Sequence, residues 1–377
     1  MSRKENLVLL VGSNPLPNYL AAATLAPSRV VLLYTPETEQ PKEHLQRALR
    51  DRLNVPAVDA LRIENGMIVG EVRRVCRDVL VNAYLNYTGG TKVMATVARV
   101  EFCRQDGEDK DASYVDEGAG VLRFDDERTL PLATTALDLN TILELHGFAR
   151  KPESTPSPND PTDADAAAVA RWCVEDPTRA GRLYGHLTSA REKKLRAITA
   201  REFREAPLTE SIIPGRSQRP ATDWTSREID RWVKFLRGPW LEQWVATLVR
   251  EVTNGGAAVH VGVNLTREKR DPELDVLTIQ GHRMYLLSCT TEETIELCKL
   301  KLFEAVWRAR QTGGDLARSA LVCFLPGGEA SARVRQDVES TWGSSNTPAI
   351  FDLADLRAWL GVGQSVNRSS LERWLRP

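Results

Sequence analysis

The residues best suited to chemistry in the first half of the chain form one run, Asn86-Tyr87-Thr88-Gly89-Gly90-Thr91-Lys92. Two glycines let the backbone approach a ligand closely. The first N–H groups of a following helix then point at that ligand and favour an anion. The run is not a phosphate-binding P-loop, because no Gly-Lys-Ser/Thr follows a four-residue spacer. The usual dinucleotide fingerprint is also missing, so nicotinamide or flavin binding is not indicated.

The elements that must position this run follow from hydrophobic pattern. Residues 78–87 are rich in Val, Leu and Tyr, which predicts a strand. Residues 91–103 predict a helix, with Val93, Val97 and Val100 on one face and Met94 and Ala98 beside it. Upstream, residues 7–12 form an apolar strand candidate followed by Ser13-Asn14-Pro15-Leu16-Pro17, with a helix starting near Asn18. A second strand over 30–34 ends in Thr35-Pro36-Glu37-Thr38, and 40–53 reads as a charged helix. Strand–helix–strand alternation predicts a mostly parallel sheet. In such sheets ligands bind beyond the carboxyl ends of the strands, where strand order reverses.

These segments resemble the CRISPR-associated Rossmann fold (CARF) domain. The likeness rests on the opening Leu-Val-Gly-Ser-Asn-Pro-Leu-Pro-Asn-Tyr-Leu, on Leu33-Tyr34-Thr35, and on the stretch from Asn86 to Met94. More narrowly, they resemble the CARF domain of ancillary nucleases that also carry a restriction-endonuclease-like domain. The resemblance implies a homodimer that binds cyclic oligoadenylate, usually cyclic tetra-adenylate, across its two-fold axis. A symmetric ring suits an isologous interface, since both subunits present the same patch. By the same resemblance Ser13 and Asn14 line the ring from the first loop and Thr35 from the second. Thr88, Gly89, Gly90, Thr91 and Lys92 supply donors, with Met94 beneath them.

Composition fits a soluble intracellular enzyme. The chain has 377 residues, enough for two or three domains, and a net charge of −1 from 50 basic and 51 acidic residues. No global basic field advertises nucleic-acid binding, which leaves room for a local basic groove. Neither a signal peptide nor a long apolar span is evident, so a cytoplasmic location without membrane contact is expected. Cysteines 76, 103, 173, 289, 298 and 323 show no Cys-x-x-Cys pair and read as reduced core residues. The five histidines show no ligand spacing, so structural zinc is not expected.

A boundary is visible in composition. Residues 151–165, KPESTPSPNDPTDAD, have little to bury and read as a linker. All nine tryptophans follow it, from Trp172 to Trp374. The expected organisation is α/β: a Rossmann-like domain over 1–150, the linker, a helical connector over 166–237, and a second α/β domain over 238–377. Within the connector, 191–204 carries six basic residues and reads more readily as a solvated face than as a nucleic-acid contact.

The second domain opens with Gly238-Pro239-Trp240-Leu241-Glu242, a helix start with proline in its favoured place. A strand near 257–265 and a hairpin of 272–279 with 283–290 follow, turning at Gln280-Gly281-His282. A helix over 292–311 ends at Gly313-Gly314, and a strand over 319–325 closes the unit. In the tail, Asp352 can cap a helix to Leu360, and Ser369-Ser370-Leu371-Glu372 reads as the opening of a last helix. These are expected to pack on the second domain or its dimer mate.

Helix, strand, hairpin, helix, strand resembles the PD-(D/E)xK nuclease core. The resemblance implies that Asp275 and Glu242 bind Mn²⁺ or Mg²⁺, with Glu273 a nearby carboxylate. Such ions offset phosphate charge and activate water. The second strand normally supplies acid-x-Lys, whose alternate residues share one face. Here it reads Ser288-Cys289-Thr290, neither acid nor lysine; a lysine could be recruited from elsewhere, with Lys299 or Lys301 on the next helix as candidates. Glu292 or Glu293 could substitute for the acid.

Two functions are carried forward. The first is a type III CRISPR ancillary effector, a metal-dependent endonuclease switched on by cyclic tetra-adenylate, acting on single-stranded RNA or DNA or nicked duplex DNA. The second is a silent or weakened sensor of the same ring, because the acid-x-Lys motif is altered. A third option, that the CARF domain degrades its own ring through Thr35, Ser13 or Lys92, has no specific signal.

Overall fold

The protein is described by a computed structural model covering residues 5–135, 137–152, 160–180, 226–267, 272–342 and 346–376. The basic stretch 191–204 lies outside the described residues, as do 153–159 of the expected linker.

The first unit runs β1 (Asn6–Leu10), α1 (Leu16–Leu25), β2 (Arg29–Tyr34), α2 (Glu39–Asp51), β3 (Ala57–Arg62), α3 (Val69–Val79), β4 (Ala83–Asn86), α4 (Lys92–Arg104), β5 (Ala112–Asp116), β6 (Val121–Phe124), β7 (Thr129–Pro131) and α5 (Leu139–Leu145). Its seven-stranded sheet is ordered β3-β2-β1-β4-β5-β6-β7. Strands β3 to β5 are parallel, and β6 and β7 add an antiparallel edge. The chain order turns around between β1 and β4, so the crevice of the sheet opens at the loops after those two strands.

Period-two alternation sorts the strand residues onto two faces. Leu7, Leu9, Val30 and Leu32 pack with α1, α2 and α5, whereas Val8, Leu10, Val31 and Leu33 pack with α3 and α4. Two expectations shift here. Residues 78 and 79 finish α3, leaving only 83–86 as strand, because Val72, Val75 and Cys76 carry a buried helical face towards the sheet. On α4 the buried face is Met94, Val97, Ala98, Glu101 and Phe102, and Val100 is exposed. The buried Glu101 carboxylate is paired with Arg73 at 2.8 Å and Arg104 at 2.5 Å, which compensates its charge.

The second unit comprises α6 (Asp163–Glu175), α7 (Ser226–Leu236), α8 (Pro239–Val252), β9 (Val259–Thr266), β10 (Glu273–Gln280), β11 (Arg283–Cys289), α9 (Ile295–Gly313), β12 (Arg318–Val322), α10 (Glu329–Trp342), β13 (Ala349–Phe351), α11 (Leu353–Leu360) and α12 (Ser369–Leu375). Its six-stranded sheet is ordered β13-β12-β11-β10-β9-β8. The last of these, β8 (Ala149–Arg150), comes from the amino-terminal side of the expected linker and pairs antiparallel with β9.

The described parts of the expected connector, α6 and α7, are built into the second core. Cys173, Val174, Trp232 and Phe235 are buried with Trp240, Trp244, Trp359, Leu371 and Leu375 on one face of the sheet. Thr162 and Asp165 close a capping box that starts α6 inside the stretch expected to be linker. The tail packs as expected: Asp352 caps α11 through the N–H groups of Ala354 and Asp355, and Trp359 is fully buried. The opposite face of the sheet is covered by α9 and α10.

The two units are in direct contact. Leu265, Leu274, Leu277, Met284 and Leu286 belong to the same apolar cluster as α1, α2 and α5. His282 Nε2 lies 2.8 Å from the Glu117 carbonyl, and Arg283 donates to the carbonyls of Glu117 and Gly118 at 3.0 and 3.1 Å. Among the described residues no helix is long and apolar enough to cross a membrane.

Candidate functional site

The run after β4 lies at the crevice. Gly89 is pressed against β1: a Cβ there would sit 2.1 Å from the Leu10 carbonyl oxygen. Gly90 has φ +75°, a conformation that glycine adopts without strain. Thr91 is the N-cap of α4, accepting the Met94 N–H at 3.1 Å and donating to the Gly66 carbonyl at 2.9 Å. That second bond ties the loop after β3 across the same rim.

The remaining expected rim residues divide by exposure. Ser13 and Lys92 are exposed, and the Asn14 side chain accepts the Leu16 N–H at 3.1 Å. Thr88 is held by the protein itself: its hydroxyl donates to Asn86 Oδ1 at 2.8 Å and accepts the Val115 N–H at 2.7 Å. Thr35 is 5% exposed and Met94 is fully buried, and both approach Gly66. Sequence reasoning missed Asn18, which is fully buried on α1 and donates to the Leu10 carbonyl at 3.0 Å. Its Oδ1 is buried without a partner. An asparagine inside an otherwise apolar helix was the available signal.

The second candidate site is a break in the sheet. β9 and β10 pair at Leu274↔Val263 and again at Val276↔Val261, and the β10–β11 ladder begins at Val276↔Leu287. Asp275 falls in the gap, opposite Gly262 with φ +56°. Its Oδ2 accepts the Cys289 N–H at 2.7 Å and the Ser288 hydroxyl at 3.0 Å. Ser288 is thus a donor that holds Asp275.

Glu242 reaches the same place from α8. Burial, then the charges of Asp275 and Glu273, push its carboxyl up to about 8, opposed by Lys234. Burial also raises Asp275, opposed by the Cys289 N–H, the Ser288 hydroxyl, Arg308 and Lys301. A Cβ on Gly262 would stand 3.8 Å from both Glu242 Oε2 and Glu273 Oε1.

The Lys299 ammonium pairs with Asp337 on α10. Arg308 and Lys301, both on α9, oppose the rise of Asp275, and Lys301 pairs with Glu304 at 3.3 Å. Arg308 also donates to the Glu273 carbonyl and pairs with Glu304. It was invisible in the sequence because only the fold of α9 onto β10 brings it there. Thr290 serves the turn into α9, its hydroxyl accepting the Glu292 N–H at 3.2 Å.

A carboxylate whose proton is held by burial and by a neighbouring carboxylate, as that of Glu242 is beside Asp275, is a donor that a hard divalent cation would suit. Among the described residues no group of three or more His, Cys, Asp or Glu side chains is placed to hold one ion. Glu242 and Asp275 are the two carboxylates that meet at the gap in the sheet. Beside it lies a cleft of about 950 Å³ with Glu242 and Glu273 on its wall. Arg150, Lys151, Arg231, Lys234 and Arg250 line the same cleft. Asp160 lines it too, and pairs with Arg231.

No protein-family model matches the sequence, and no curated protein matches it. Solved structures do. Can2 from Sulfobacillus thermosulfidooxidans, in complex with cyclic tetra-adenylate, superposes with a TM-score of 0.67 at 18% identity, over 100% of this chain and 98% of that one. Protein VC1899 from Vibrio cholerae gives 0.69 at 14% identity, over 98% and 97% of the two chains. A type III CRISPR defence DNA nuclease activated by cyclic oligoadenylate gives 0.54 at 18% identity, over 86% of this chain and 47% of that one. From end to end, the chain has the two-unit α/β fold of Can2 and VC1899.

Proposed function

We propose that this chain is a CRISPR effector that binds cyclic tetra-adenylate and is thereby switched on as a nuclease. The observation that carries this reading is the whole-length likeness to Can2, a structure containing that ring. It is supported by a rim at the reversal of strand order, where Ser13, Asn14, Thr91 and Lys92 sit around close-approach glycines. Leu61, Met67, Ile68 and Val69, exposed at and beyond the end of β3 next to Gly66, form the apolar surface that a second subunit would cover. The rim belongs to 1–150 and the carboxylate site to 238–377, with α6 and α7 buttressing the latter.

In the second unit Glu242 and Asp275 would hold Mg²⁺ or Mn²⁺, which supplies Lewis acidity and a nucleophilic water when bound. Ser288 and the Cys289 N–H fix the orientation of Asp275. Lys301 and Arg308 place positive charge where it can meet negative charge developing on phosphate, the task of the missing motif lysine. The cleft basics orient the chain of phosphates. Activation requires that the ring bind the cleaving state more tightly than the resting one.

The test is cleavage of labelled single-stranded RNA and DNA and nicked duplex by purified protein with Mn²⁺, with and without cyclic tetra-adenylate. Cleavage that appears only with the ring supports the proposal. A second reading, a ring sensor that does not cut, is favoured by Ser288 and Thr290 standing where an acid and a lysine are expected. Tight ring binding without cleavage in the same sample would select it.

A further inference from the structure

The loop that carries Ser13 and Asn14 rests on the second unit. α9 stops at Gly313, and Gly314 caps it with φ +78°, its N–H bonded to the Arg310 carbonyl at 3.0 Å. Gly314 is buried, and a Cβ there would stand 2.8 Å from Asn14 Nδ2, 2.9 Å from Oδ1 and 3.0 Å from Cγ. Glycine is thus required twice at this position, once by the left-handed backbone and once by the amide lying on it. Ser13 and Asn14 also share a cavity of about 370 Å³ with Arg310, Gln311 and Gly314.

The Asn14 amide is held from two sides. Its Oδ1 accepts the Leu16 N–H at 3.1 Å, which leaves the NH2 group as the donor it can offer to a phosphate. Gly314, on the other side, sets how far the amide can sink. α9 is itself fixed. Cys298, Leu302, Ala305 and Ala309 bury its inner face, and Arg308 donates to the Glu273 carbonyl beside the carboxylate site. From Arg308 to Gly314 is about 9 Å along the helix axis. The support under Asn14 is therefore one end of the helix whose body meets β10 next to Asp275.

We propose that the carboxyl-terminal turn of α9 is part of the ring site: Gly314 is a positioning residue that holds the Asn14 amide where it donates to the cyclic oligoadenylate. The proposal rests on the ring-binding reading and extends its site from the first unit into the second.

The test is calorimetric titration of cyclic tetra-adenylate into the full-length protein carrying Gly314→Ala, Asn14→Ala or both, with Gly328→Ala as the control. Gly328 has φ +79° and a Cβ there meets nothing within 4 Å, so its replacement brings the same backbone strain without a contact. Both glycine variants are expected to lower Tm by a similar amount, because the new Cβ at 314 pushes the end of a short side chain and not backbone. Losing one hydrogen bond to a charged group weakens binding by about tenfold. Ring affinity is therefore expected to fall about tenfold in Gly314→Ala and in Asn14→Ala, and to fall no further when the two are combined. It is expected to stay unchanged in Gly328→Ala. Unaltered ring affinity in Gly314→Ala overturns the proposal, as do losses that add in the double variant or an equal loss in Gly328→Ala. Failure of the unaltered protein to bind the ring refutes the ring reading itself, and the proposal falls with it.

Discussion

Gly89 allows the packing of the rim to be tested by a single methyl group. Its φ is ordinary, so alanine brings no backbone strain, and the added atom is the whole perturbation. That atom would lie 2.1 Å from the Leu10 carbonyl oxygen, about 0.9 Å inside the closest approach that real Cβ atoms tolerate. Leu10 is fully buried in β1, and its oxygen already accepts the Asn18 amide at 3.0 Å, so the strand cannot retreat. The loop after β4 must lift by about 1 Å instead. Such a lift stretches the 2.9 Å bond from Thr91 to the Gly66 carbonyl beyond hydrogen-bonding range. Overpacking of this kind costs about 2 kcal/mol or more, a fall in Tm of about 4–8 °C for a domain of this size. The assay pairs differential scanning calorimetry with calorimetric titration of cyclic tetra-adenylate, and Gly70→Ala is the control. A Cβ at Gly70, on α3, meets nothing within 4 Å, so that substitution is expected to be neutral or stabilising by a few tenths of a kcal/mol. If Gly89→Ala matches the unaltered protein in both Tm and ring affinity, the close approach of the two loops is wrong, and so is the account of the rim.

Asp275→Asn keeps an acceptor for the Cys289 N–H and removes a buried charge. Cleavage is expected to fall at least about a hundredfold while Tm holds or rises, read by gel assay and calorimetry. The two lysines separate cleanly: Lys301→Ala lowers the cleavage rate by about tenfold, whereas Lys299→Ala, which breaks only the pair with Asp337, leaves it within about twofold. Glu117, at the contact between the units, is pushed up to about 7 by burial and then by Asp315, from an ordinary 4.5. Between those values the folded chain holds a proton that the unfolded chain has released, so stability falls as pH rises through the window. Tm followed against pH should show this decline in the unaltered protein and a flatter profile in Glu117→Gln.

Local pattern carried β1, β2, the hairpin and the glycine-ended helix, because each is a periodicity confined to a few neighbours, but it gave no reading of β3, β5, β6 or β7. It failed where tertiary contact overrides periodicity. The β-branched run around 78–87 reads as one strand, yet Val72, Val75 and Cys76 pull its beginning into α3. Val93, Val97 and Val100 suggest a buried face that the ion-paired Glu101 displaces. At the carboxylate site Asp275 and Glu242 were legible from the hairpin and the proline-led helix. Lys299 was not distinguishable from Lys301 by spacing, since only the docking of α10 decides that Asp337 takes the former. Arg308 became visible only once α9 was packed, whereas Asn18, a polar residue in an apolar helix, could have been picked out beforehand.

The pairing of β8 with β9 bears on how the protein can be divided. Cutting before residue 151 or at 166, where composition places the seam, strips an edge strand from the second sheet. β9 would then present its backbone N–H and C=O groups along Leu265 and Thr266 to any passing strand. A fragment beginning at 148 retains that protection. The carboxylate unit expressed from 151 or 166 onward is therefore expected to aggregate through a bare sheet edge, whatever the merits of its core, and a loss of activity in such a fragment would say nothing about the ring.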